Sequence, residues 1–597
     1  MRVVLGRKAK LPRTLGVGAL FSACYGNVGS SIYYSLGVTA ALALGLTPLA
    51  LILAGLIFVS TALNYAEGTA AMPHAGGSSS FARRAFNEPI GFLVGWIQLL
   101  NYTATVSISS YTAMAYLAVL GEYVPLLKVL QATGPHVAGS VVLTGLLMVV
   151  NIIGIQESSV VNLVLAIIDL VTQVVLVVLG TILLLDFKTV ISNIHFGVAP
   201  TWGNFLASIS LAMVTFTGIE TISNMSEEAK NPGKTVPRAT FFVIIAVRLV
   251  SSFLPTIGMS VFPVHLDASG HFVTDLASSR WVNDPVSGIV SRFRPETLAY
   301  WAGVWVSILA FTILVIATNA GLIGISRLSY SLASNDLFPK QFSKLHPKYR
   351  TPYVSIIVFG IAAAILILPN KITLMAAIYS LAATFAFATA HLAVMRLRFV
   401  DPELYRPYRM PFNIPYGRAS IPVLSLVGAL AIGAVFSQLL FQNIEGSTPI
   451  YIAWLILGSI AFIAYRRYRH EAIWEQLEIP PPVDREIVRR PLAVPSSERV
   501  RMGRRRHLHE EEPAAIAPVA EAQHHRTRFL GLRLMLESHG RMRIVLTLAV
   551  FAAVCVLAVV ADLSPNDPSG PGLGWSPGVL IIFVLAALLL IRSRGER

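Results

Sequence analysis

Long apolar segments separated by short polar connections run along most of the chain. Twelve of them occupy 15–38, 46–70, 90–120, 138–154, 159–186, 203–225, 239–263, 299–330, 352–369, 373–397, 419–441 and 448–466, and two more follow at 543–562 and 577–592. Each approaches or exceeds the length of about 20 residues with which a helix crosses a bilayer, and a membrane β-barrel would show alternation instead. The pattern predicts an all-α polytopic membrane protein with about 14 spans.

Composition agrees with this class, because hydrophobic residues make up 55% of the chain and charged residues only 13%. A net charge of +15 would also suit nucleic acid binding. The basic residues, however, lie between apolar segments and in one late polar segment, where they orient the chain in the bilayer. Cys24 and Cys555 both lie in apolar segments, so neither a disulfide framework nor a cysteine metal site is predicted.

Lysine and arginine predict the orientation, since short cytoplasmic loops retain them. With the N-terminus inside, the inside loops hold most of these residues: Arg83, Arg84, Lys230, Lys234, Arg238, Lys340, Lys344, Lys348, Arg350, Arg396, Arg398, Arg406 and Arg409. The outside loop at 264–298 carries three arginines, but longer loops follow the rule poorly. We therefore predict a multi-pass protein of the cell membrane with both termini in the cytoplasm.

Four parts follow along the chain. Residues 1–14 form a cytoplasmic N-terminal segment without a cleavable signal, and 15–466 form a twelve-helix core. Residues 467–542 mix basic clusters, three successive prolines and an acidic run, which predicts a largely disordered cytoplasmic linker that touches anionic lipid. A small regulatory domain is the alternative for that segment. Residues 543–597 are predicted to form a C-terminal transmembrane hairpin.

The sixth apolar segment contains the main candidate site. Lipid-facing sequence is interrupted there by Thr215, Thr217, Gly218 and Glu220, and Phe216 lies among them as a further candidate of the site. A carboxylate at this depth is costly, so it faces a cavity or a partner, and a broken helix is tolerated only where its freed backbone groups line a site. The alternative is a small-residue packing face on which Glu220 has a structural partner.

The first apolar segment has a similar interruption. It reads Tyr25-Gly26-Asn27-Val28-Gly29-Ser30-Ser31, and its glycines and serines are predicted to open the backbone near mid-membrane. A half-helix beginning at Gly29 would then direct N–H groups into the gap, while carbonyls released at 216–218 would favour a cation or an ammonium group. Two interrupted helices five spans apart indicate an inverted-repeat transporter with its site between the repeats.

These motifs resemble those of the amino acid–polyamine–organocation permeases. The resemblance covers about 15–465 and rests on residues whose order matches the family: Gly29-Ser30-Ser31, Phe216-Thr217-Gly218-Ile219-Glu220, Glu227-Glu228-Ala229-Lys230-Asn231-Pro232, Val236-Pro237-Arg238-Ala239, Tyr65-Ala66-Glu67, Pro73-His74-Ala75-Gly76-Gly77, Asn319-Ala320 and Gly324-Ile325-Ser326-Arg327. Ser31 stands where the family has glycine, and Ile219 where it has an aromatic residue.

The resemblance implies a leucine-transporter-like fold of five helices repeated in inverted orientation (5+5), plus two further helices. It implies a secondary active transporter that moves amino acids or related amines by alternating access, coupled to a proton or working by exchange. The substrate carboxylate would bind N–H groups of Ser30 and Ser31, and its amino group carbonyls near Thr215, Phe216 and Gly218. Ser31 narrows the backbone approach that a glycine would allow.

The first-helix sequence also resembles the Tyr-Gly-Asp-Ile-Gly-Thr-Ser motif of Kup-type potassium permeases. That family would use the aspartate for the cation, whereas Asn27 supplies only a neutral oxygen. Potassium or other cation uptake is therefore retained as an alternative function. A nutrient sensor built on a transporter fold is another, because the linker and final hairpin would suit signalling.

Charged residues within the spans are candidates for coupling. Asp169 is ten residues into the fifth span, roughly 15 Å deep at the helical rise, and Arg248 reaches a similar depth in the seventh. In relatives that this chain resembles, the position of Asp169 commonly holds a lysine that replaces a sodium ion. Asp169 is predicted either to carry a coupling proton, to bind a cation, or to neutralise Arg248, with Glu220 competing for that arginine.

Other polar positions carry weaker expectations. Glu67 and His74 are expected either to form a gate salt bridge or to be ordinary interfacial residues, and Arg327 is expected to anchor or gate the inside. Tyr102, Thr105, Thr318 and Asn319 are candidate cavity residues. Histidines are dispersed, and no convergent nucleophile–base set or metal-ligand spacing occurs in the sequence. The chain is predicted not to be an enzyme and to need no cofactor or metal.

Overall fold

The computed structural model describes residues 13–74, 76–154 and 159–470. Within these ranges the chain is helical almost throughout. Its α-helices are α1 (Val17–Val28), α2 (Ile32–Ala43), α3 (Thr47–Ala71), α4 (Gly77–Ala85), α5 (Glu88–Val119), α6 (Thr133–Ile153), α7 (Ser159–Leu183), α8 (Phe187–Ser192), α9 (Trp202–Ala212), α10 (Glu220–Asn224), α11 (Pro232–Val261), α12 (Pro285–Val290), α13 (Glu296–Ser334), α14 (Tyr353–Ile367), α15 (Ile372–Val400), α16 (Val423–Gln442) and α17 (Ser447–Tyr468).

Two antiparallel hairpins are the strands of the described chain. Strand β1 (Val264–Leu266) pairs with β2 (Phe272–Thr274) in the connection between α11 and α13. Strand β3 (Asn413–Tyr416) pairs with β4 (Ala419–Pro422) in the connection between α15 and α16. Both hairpins lie in connections rather than in spans, so an all-α membrane fold with small additions describes this part of the chain.

Nine helical segments of the described chain are long and apolar enough to cross a membrane. One of them, Val17–Ala71, encloses the first two predicted spans, and the shorter apolar helices Trp202–Phe216 and Tyr353–Ile367 coincide with the sixth and ninth. Helical character is therefore confirmed at each of the twelve predicted core segments. The predicted linker beyond 470 and the hairpin at 543–597 lie outside the described residues.

The distribution of apolar residues is that of a protein surrounded by lipid. Small and aromatic residues fill the interior, where α5 packs extensively against α13 and α15. Large aliphatic residues cover the outside of α6 and α7, as at Leu146, Val160 and Ile182. In a bilayer such an outer surface meets acyl chains, while buried polar groups are paired inside the bundle.

The interruption of the first span differs from the prediction. Residues Gly29–Ser31 form a single 3₁₀ turn, and Gly29 keeps helical torsion angles of φ −65° and ψ −32°. Its backbone N–H donates to the carbonyl of Tyr25, as in a continuous helix. The expected opening of the backbone at Gly29 is therefore wrong, because a glycine permits an opening but does not impose one.

The interruption of the sixth span is a true break, as predicted. A 3₁₀ turn, Met213–Phe216, follows α9, and Thr217 is then extended at φ −77° and ψ 151°. Gly218 has a φ of +112°, which side-chain-bearing residues rarely adopt, and the short helix α10 begins two residues later. The two interruptions pack against each other inside the bundle.

Several buried or partly exposed ion pairs link helix ends and connections of the bundle, and we call the region that they form the arginine-rich end. Its pairs join neighbouring helix ends and connections: Arg83–Glu88, Arg84–Asp401, Arg327–Glu228, Arg398–Glu67, Arg406–Glu67, Arg466–Glu88 and Arg469–Asp336. Most of the loop arginines and lysines that predicted a common side of the membrane lie in the segments that meet here.

Candidate functional site

The break in the sixth span is stabilised by its own carboxylate. The backbone N–H of Gly218 donates to Oε2 of Glu220 at 3.1 Å, instead of to a carbonyl one turn earlier. The helical hydrogen-bond ladder therefore stops at this point. The hydroxyl of Thr217 turns back to the carbonyl of Val214 at 2.8 Å, so it caps the preceding turn.

Asn27 of the first span lies directly against this break. A β-carbon built on Gly218 would lie 2.8 Å from Nδ2 of Asn27, which is closer than real β-carbons approach other atoms. The same Nδ2 donates to the hydroxyl of Thr221 at 3.2 Å. Gly218 is thus required twice, once for its positive φ and once for the close approach of the first span.

Two oxygen acceptors at this contact have no donor. Oε1 of Glu220 and Oδ1 of Asn27 are both buried without a hydrogen-bond partner in the described chain. Buried polar atoms are almost always paired, so unpaired ones call for an explanation such as a missing ligand. Glu220 and Asn27 are 1% and 2% exposed, so bulk solvent does not reach these two acceptors directly.

A ring of further polar groups surrounds these acceptors. The side-chain amide of Asn101 on α5 lies beside the Glu220 carboxyl group. The hydroxyls of Tyr65 on α3 and Tyr379 on α15 lie in the same buried surroundings of Glu220. Helices α1, α3, α5, α10 and α15 therefore direct polar groups toward one buried region.

The predicted residues of the first span have internal partners. The hydroxyls of Ser30 and Ser31 donate to the carbonyl of Asn27 at 3.0 and 3.2 Å, and that of Ser31 also meets Tyr34. These bonds support the 3₁₀ turn, because side-chain hydroxyls offer the backbone carbonyl an alternative donor.

The remaining predicted residues of the sixth span join it to its neighbours. The hydroxyl of Thr215 donates to that of Ser35 on α2 at 2.7 Å, and Phe216 stacks on Phe58 of α3 with ring centroids 5.1 Å apart. Both contacts hold the turn that precedes the break. The structure therefore brings the candidate residues of both interrupted spans into one region.

Asp169 forms a second polar centre, on α7. Its two carboxylate oxygens accept from the hydroxyl of Tyr33 at 2.8 Å, the hydroxyl of Tyr25 at 3.1 Å and the amide of Gln173 at 2.7 Å. Gln173 also donates to the carbonyl of Gly29 at 3.3 Å. The two tyrosines bracket the 3₁₀ turn of the first span, so Asp169 is tied to that turn on both sides.

The predicted ion pair with Arg248 is not formed. Within the described chain no ion pair joins Arg248 to Asp169 or Glu220, and its guanidinium instead donates to the carbonyl of Ile52 at 3.3 Å. The β-carbon position of Gly55 is filled by the same guanidinium, so Arg248 faces α3. Equal depth in two helices did not bring the residues together, because they lie on faces that point to different neighbours.

The structure also shows the partners of the polar residues for which expectations from the sequence were weaker. Glu67 forms a buried cluster with Arg398 and Arg406, which favours the salt-bridge alternative over an ordinary interfacial residue. His74 lies 3.8 Å from Glu227 and is largely exposed. Other pairs follow: Arg327 with Glu228, Asn319 with Asn151, Tyr102 with Asn224, and Thr105 and Thr318 with backbone carbonyls of their own helices.

Sequence reasoning missed several residues of these centres. Asn101, Tyr25, Tyr33, Gln173 and Tyr379 were not selected as site residues. Their signal in the sequence is weak, because tyrosine and asparagine occur often in small-residue helices. Gln173 stands one turn after Asp169 on the same helix face, and this spacing is the clearest available indication of a shared role.

A buried polar region at two interrupted membrane helices is typical of secondary transporters. Comparison with protein families agrees, since residues 15–462 match the amino acid permease family. The chain belongs to the amino acid permease family, and it is a transporter of small molecules.

Individual relatives share about a quarter of their residues with this chain, over most of their own length. The branched-chain amino acid permease BcaP of Bacillus subtilis is 26% identical, over 76% of this chain and 91% of the relative. The low-affinity putrescine importer PlaP of Escherichia coli is 25% identical, over 72% and 88%. The methylthioribose transporter of Bacillus subtilis is also 25% identical, over 76% and 91%. This family assignment favours the amino acid permease resemblance over the potassium permease alternative.

Proposed function

We propose that the chain is a secondary active transporter of amino acids or related amines, and that the substrate ammonium group binds between Glu220 and Asn27. The single observation behind the ammonium site is the pair of buried, unpaired acceptors, Oε1 of Glu220 and Oδ1 of Asn27. An ammonium group offers three donors and no acceptor, and a bond to a carboxylate is charge-assisted.

The relatives support the amine class without deciding it. BcaP and PlaP are named for branched-chain amino acids and for putrescine, and both kinds of molecule carry an amino group. A third relative of similar identity is named for methylthioribose, which has hydroxyl groups instead. The choice of an amine therefore rests on Glu220, because a buried carboxylate favours a cationic partner over a neutral one.

The two interruptions also suggest where the other parts of the substrate bind. We place the carboxylate of an amino acid against the backbone of Ser30 and Ser31, and the region of Thr215, Phe216 and Thr217 beside its amino end. Spans one to five and six to ten form the two inverted repeats in this proposal, with two more spans following. Alternating access then opens the site toward one side at a time.

The membrane arrangement completes this proposal. The arginine-rich end faces the cytoplasm in a cell membrane, with both termini on that side, because positively charged loops are retained inside. Residues 467–542 form the cytoplasmic linker and 543–597 the final hairpin. A pure nutrient sensor of the same fold would bind substrate without net flux.

Asp169 is the proposed site of a coupling proton. An ionised carboxylate only accepts hydrogen bonds, and three donors point at Asp169. A protonated carboxyl group must itself donate once, so protonation forces one of these contacts to change. Since Tyr25 and Tyr33 bracket the first interruption, such a change acts on the helix that also carries Asn27.

Binding and uptake by purified protein in liposomes test the substrate site. Labelled branched-chain amino acids, putrescine, methylthioribose and rubidium, as a potassium analogue, are compared in wild type and in Glu220→Gln. We expect amines to bind to wild type, and Glu220→Gln to weaken them by at least about tenfold, since a bond to a charged group contributes about 1.5–3 kcal/mol.

The matched control is Glu445→Gln, which removes a carboxylate that pairs with Lys371 in a connection far along the chain. It should bind amines like wild type. Unchanged amine affinity in Glu220→Gln would refute the ammonium site, and binding of methylthioribose or rubidium alone would refute the substrate class.

A further inference from the structure

The connection between α15 and α16 is a structured platform rather than a loose loop. Strands β3 and β4 pair in register, with Ile414 opposite Ile421 and Tyr416 opposite Ala419. Gly417 occupies the first position of the two-residue turn at a φ of +57°, where glycine is preferred. A short hairpin of this kind is marginal alone and needs packing or anchoring to persist.

The anchor is a buried arginine at the end of α15. Arg398 donates to the side chains of Asn413 and Ser420, one on each strand, and also pairs with Glu67 of α3. The backbone N–H of Met410 donates to the same glutamate at 2.9 Å. The inner side of the hairpin is therefore fixed to the core at the arginine-rich end.

The outer side of the hairpin presents large apolar groups to the surroundings. Tyr405, Phe412, Ile414 and Tyr416 are 79%, 70%, 55% and 54% exposed, and we call these four residues the hairpin patch. Ile414 and Tyr416 share one strand face, since side chains alternate along a strand. Phe412 holds a φ of +58°, an unusual conformation for a bulky residue that the surrounding contacts must maintain.

Exposed positive charge accompanies the hairpin patch. Arg409 and Arg418 are exposed on either side of β3, and within the described residues neither forms an ion pair like those of Arg398 and Arg406 with Glu67. Of the acidic residues in the same connection, Asp401 pairs with Arg84 and Glu403 has a partner of its own. The free charges near the patch are therefore arginines.

The hairpin patch continues the outer surface of a membrane helix. Val400, the last residue of α15, is exposed, and the ring of Phe399 lies 6.3 Å from that of Tyr416. Beyond the hairpin, Val427 is exposed on α16, which is also apolar enough to span a membrane. The anchored hairpin thus joins the ends of two helices that are long and apolar enough to cross a membrane.

We propose that the hairpin patch is a lipid-binding surface at the membrane–water boundary. Its aromatic and aliphatic side chains enter the boundary between headgroups and acyl chains, and Arg409 and Arg418 bind the phosphates of anionic lipids. Aromatic rings with a polar edge concentrate at this depth, and basic residues there favour anionic headgroups. The surface lies apart from the proposed substrate site and does not depend on it.

Two other occupants would fit an apolar surface of this kind. They are the segment of this chain after residue 470 and a second copy of the chain. Lipid is favoured because the patch adjoins α16, whose apolar outer side includes the exposed Val427, and because the exposed charges beside the patch are positive. The anchor on Arg398 also holds the patch at the bilayer whether or not another protein segment is near.

Photo-crosslinking from the patch identifies the occupant directly. The full-length chain carries p-benzoylphenylalanine at Ile414 in nanodiscs of phosphatidylcholine and phosphatidylglycerol, and adducts are identified by mass spectrometry. Gln341 provides the matched control position, because it is exposed in a polar turn at the same end of the bundle. Tyr416 provides a second position on the same strand if the Ile414 variant folds poorly.

Lipid adducts should dominate at 414 and 416 and be several-fold rarer at 341. Arg409→Gln and Arg418→Gln should each reduce the phosphatidylglycerol share of the adducts by up to about fivefold, whereas Lys344→Gln should leave it unchanged. Adducts to peptides from 471–597 or to a second chain would overturn the proposal. Equal lipid adducts at 414 and 341 would overturn it as well.

Discussion

Each interrupted helix is held by one buried carboxylate, but the two carboxylates act on different parts of the chain. At the sixth-span break, Glu220 accepts from the backbone N–H of Gly218, only two residues away. At the first-span turn, Asp169 comes from another helix and accepts from the hydroxyls of Tyr25 and Tyr33. The first arrangement is local and the second joins distant elements.

This difference separates a fixed feature from an adjustable one. The break at Gly218 follows from a backbone torsion angle, so it persists whatever the neighbouring helices do. The turn at 29–31 keeps helical torsion angles, and its surroundings are set by side chains from α7. Under the proposed coupling role, a change of charge on Asp169 would alter the first interruption through Tyr25, Tyr33 and Gln173 and would leave the second in place.

The largest effect is expected from Gly218→Ala. A β-carbon would meet Asn27 at 2.8 Å, and the φ of +112° is unfavourable for any residue with a side chain. Strain of this kind costs about 1–3 kcal/mol, and overpacking adds a similar amount. We expect substrate uptake into proteoliposomes to fall by at least about 100-fold, while the protein still inserts into the membrane.

Removal of the neighbouring side chain tests the backbone origin of this loss. In Asn27→Ala/Gly218→Ala the steric contact is relieved but the torsional strain remains, so uptake should stay about tenfold below that of Asn27→Ala alone. Recovery of uptake to the level of Asn27→Ala alone would show that only the contact matters, and the fixed character of this break would be wrong.

The next effect concerns the adjustable interruption. Asp169→Asn places a permanent donor where a protonated carboxyl group would have one, and removes the group that releases the proton. We expect accumulation driven by a pH gradient to fall at least about tenfold, with substrate exchange between equal pools retained. Tyr33→Phe should weaken accumulation less, because Tyr25 and Gln173 still contact the carboxylate.

The readout that separates coupling from a structural role is the ratio of the two activities. Equal losses of accumulation and exchange in Asp169→Asn would make Asp169 a packing residue. Unchanged pH-driven accumulation would also contradict the coupling role. Arg248→Gln is the control, since that arginine contacts the carbonyl of Ile52 and not Asp169.

A smaller effect is expected from Gly29→Ala. Alanine suits helical torsion angles better than glycine does, but its β-carbon would lie 2.6 Å from the ring of Tyr25. Ring displacement would lengthen the bond from Tyr25 to Asp169. We expect accumulation to fall by about three- to tenfold, which corresponds to the lower part of the overpacking range.

A double-mutant cycle with Tyr25→Leu locates this effect. If Gly29 acts through the ring, adding Gly29→Ala to Tyr25→Leu should cost little more than Tyr25→Leu alone. Additive losses would instead indicate a backbone requirement at Gly29, and the contrast with Gly218 would then disappear.

The sequence predicts the backbone correctly at one interruption and wrongly at the other, and the difference has a physical reason. Both contain glycine with small polar neighbours, and both were expected to open. Only Gly218 does so, because Glu220 follows it closely enough to take over its N–H. At Gly29 the hydroxyls of Ser30 and Ser31 support a 3₁₀ turn instead. The residues after each glycine therefore decide whether the helix opens, but the two glycine-containing motifs look alike in the sequence.

Helix-to-helix pairing was harder to predict than helix position. The described core helices coincide with the predicted apolar segments, because hydrophobic length is a strong signal. The partners of Asp169 were missed, since they depend on which helix face meets α7. The depth of a residue along a span does not tell which face of the helix it occupies. Arg248 was therefore expected to pair with Asp169, although it points to α3.

The smallest effect is expected at Ser31, where the first interruption meets the proposed substrate carboxylate. Its hydroxyl bonds to the carbonyl of Asn27 and meets Tyr34, while its β-carbon limits the approach to the backbone. Ser31→Gly removes both groups, and Ser31→Ala removes only the hydroxyl. Glycine in a helix costs roughly 0.5–1 kcal/mol relative to alanine, so a slight loss of stability accompanies the first change.

If the β-carbon of Ser31 limits the approach of the substrate carboxylate to the backbone, Ser31→Gly should raise affinity for amino acids about two- to threefold relative to amines without a carboxylate. The reason is that a lost contact of about 0.5 kcal/mol is recovered. Ser31→Ala should leave that ratio unchanged. Competition binding of leucine against putrescine gives the ratio directly, and an equal shift in both variants would assign the effect to the hydroxyl. An unchanged ratio in both would remove Ser31 from the substrate site and leave it a residue of the turn.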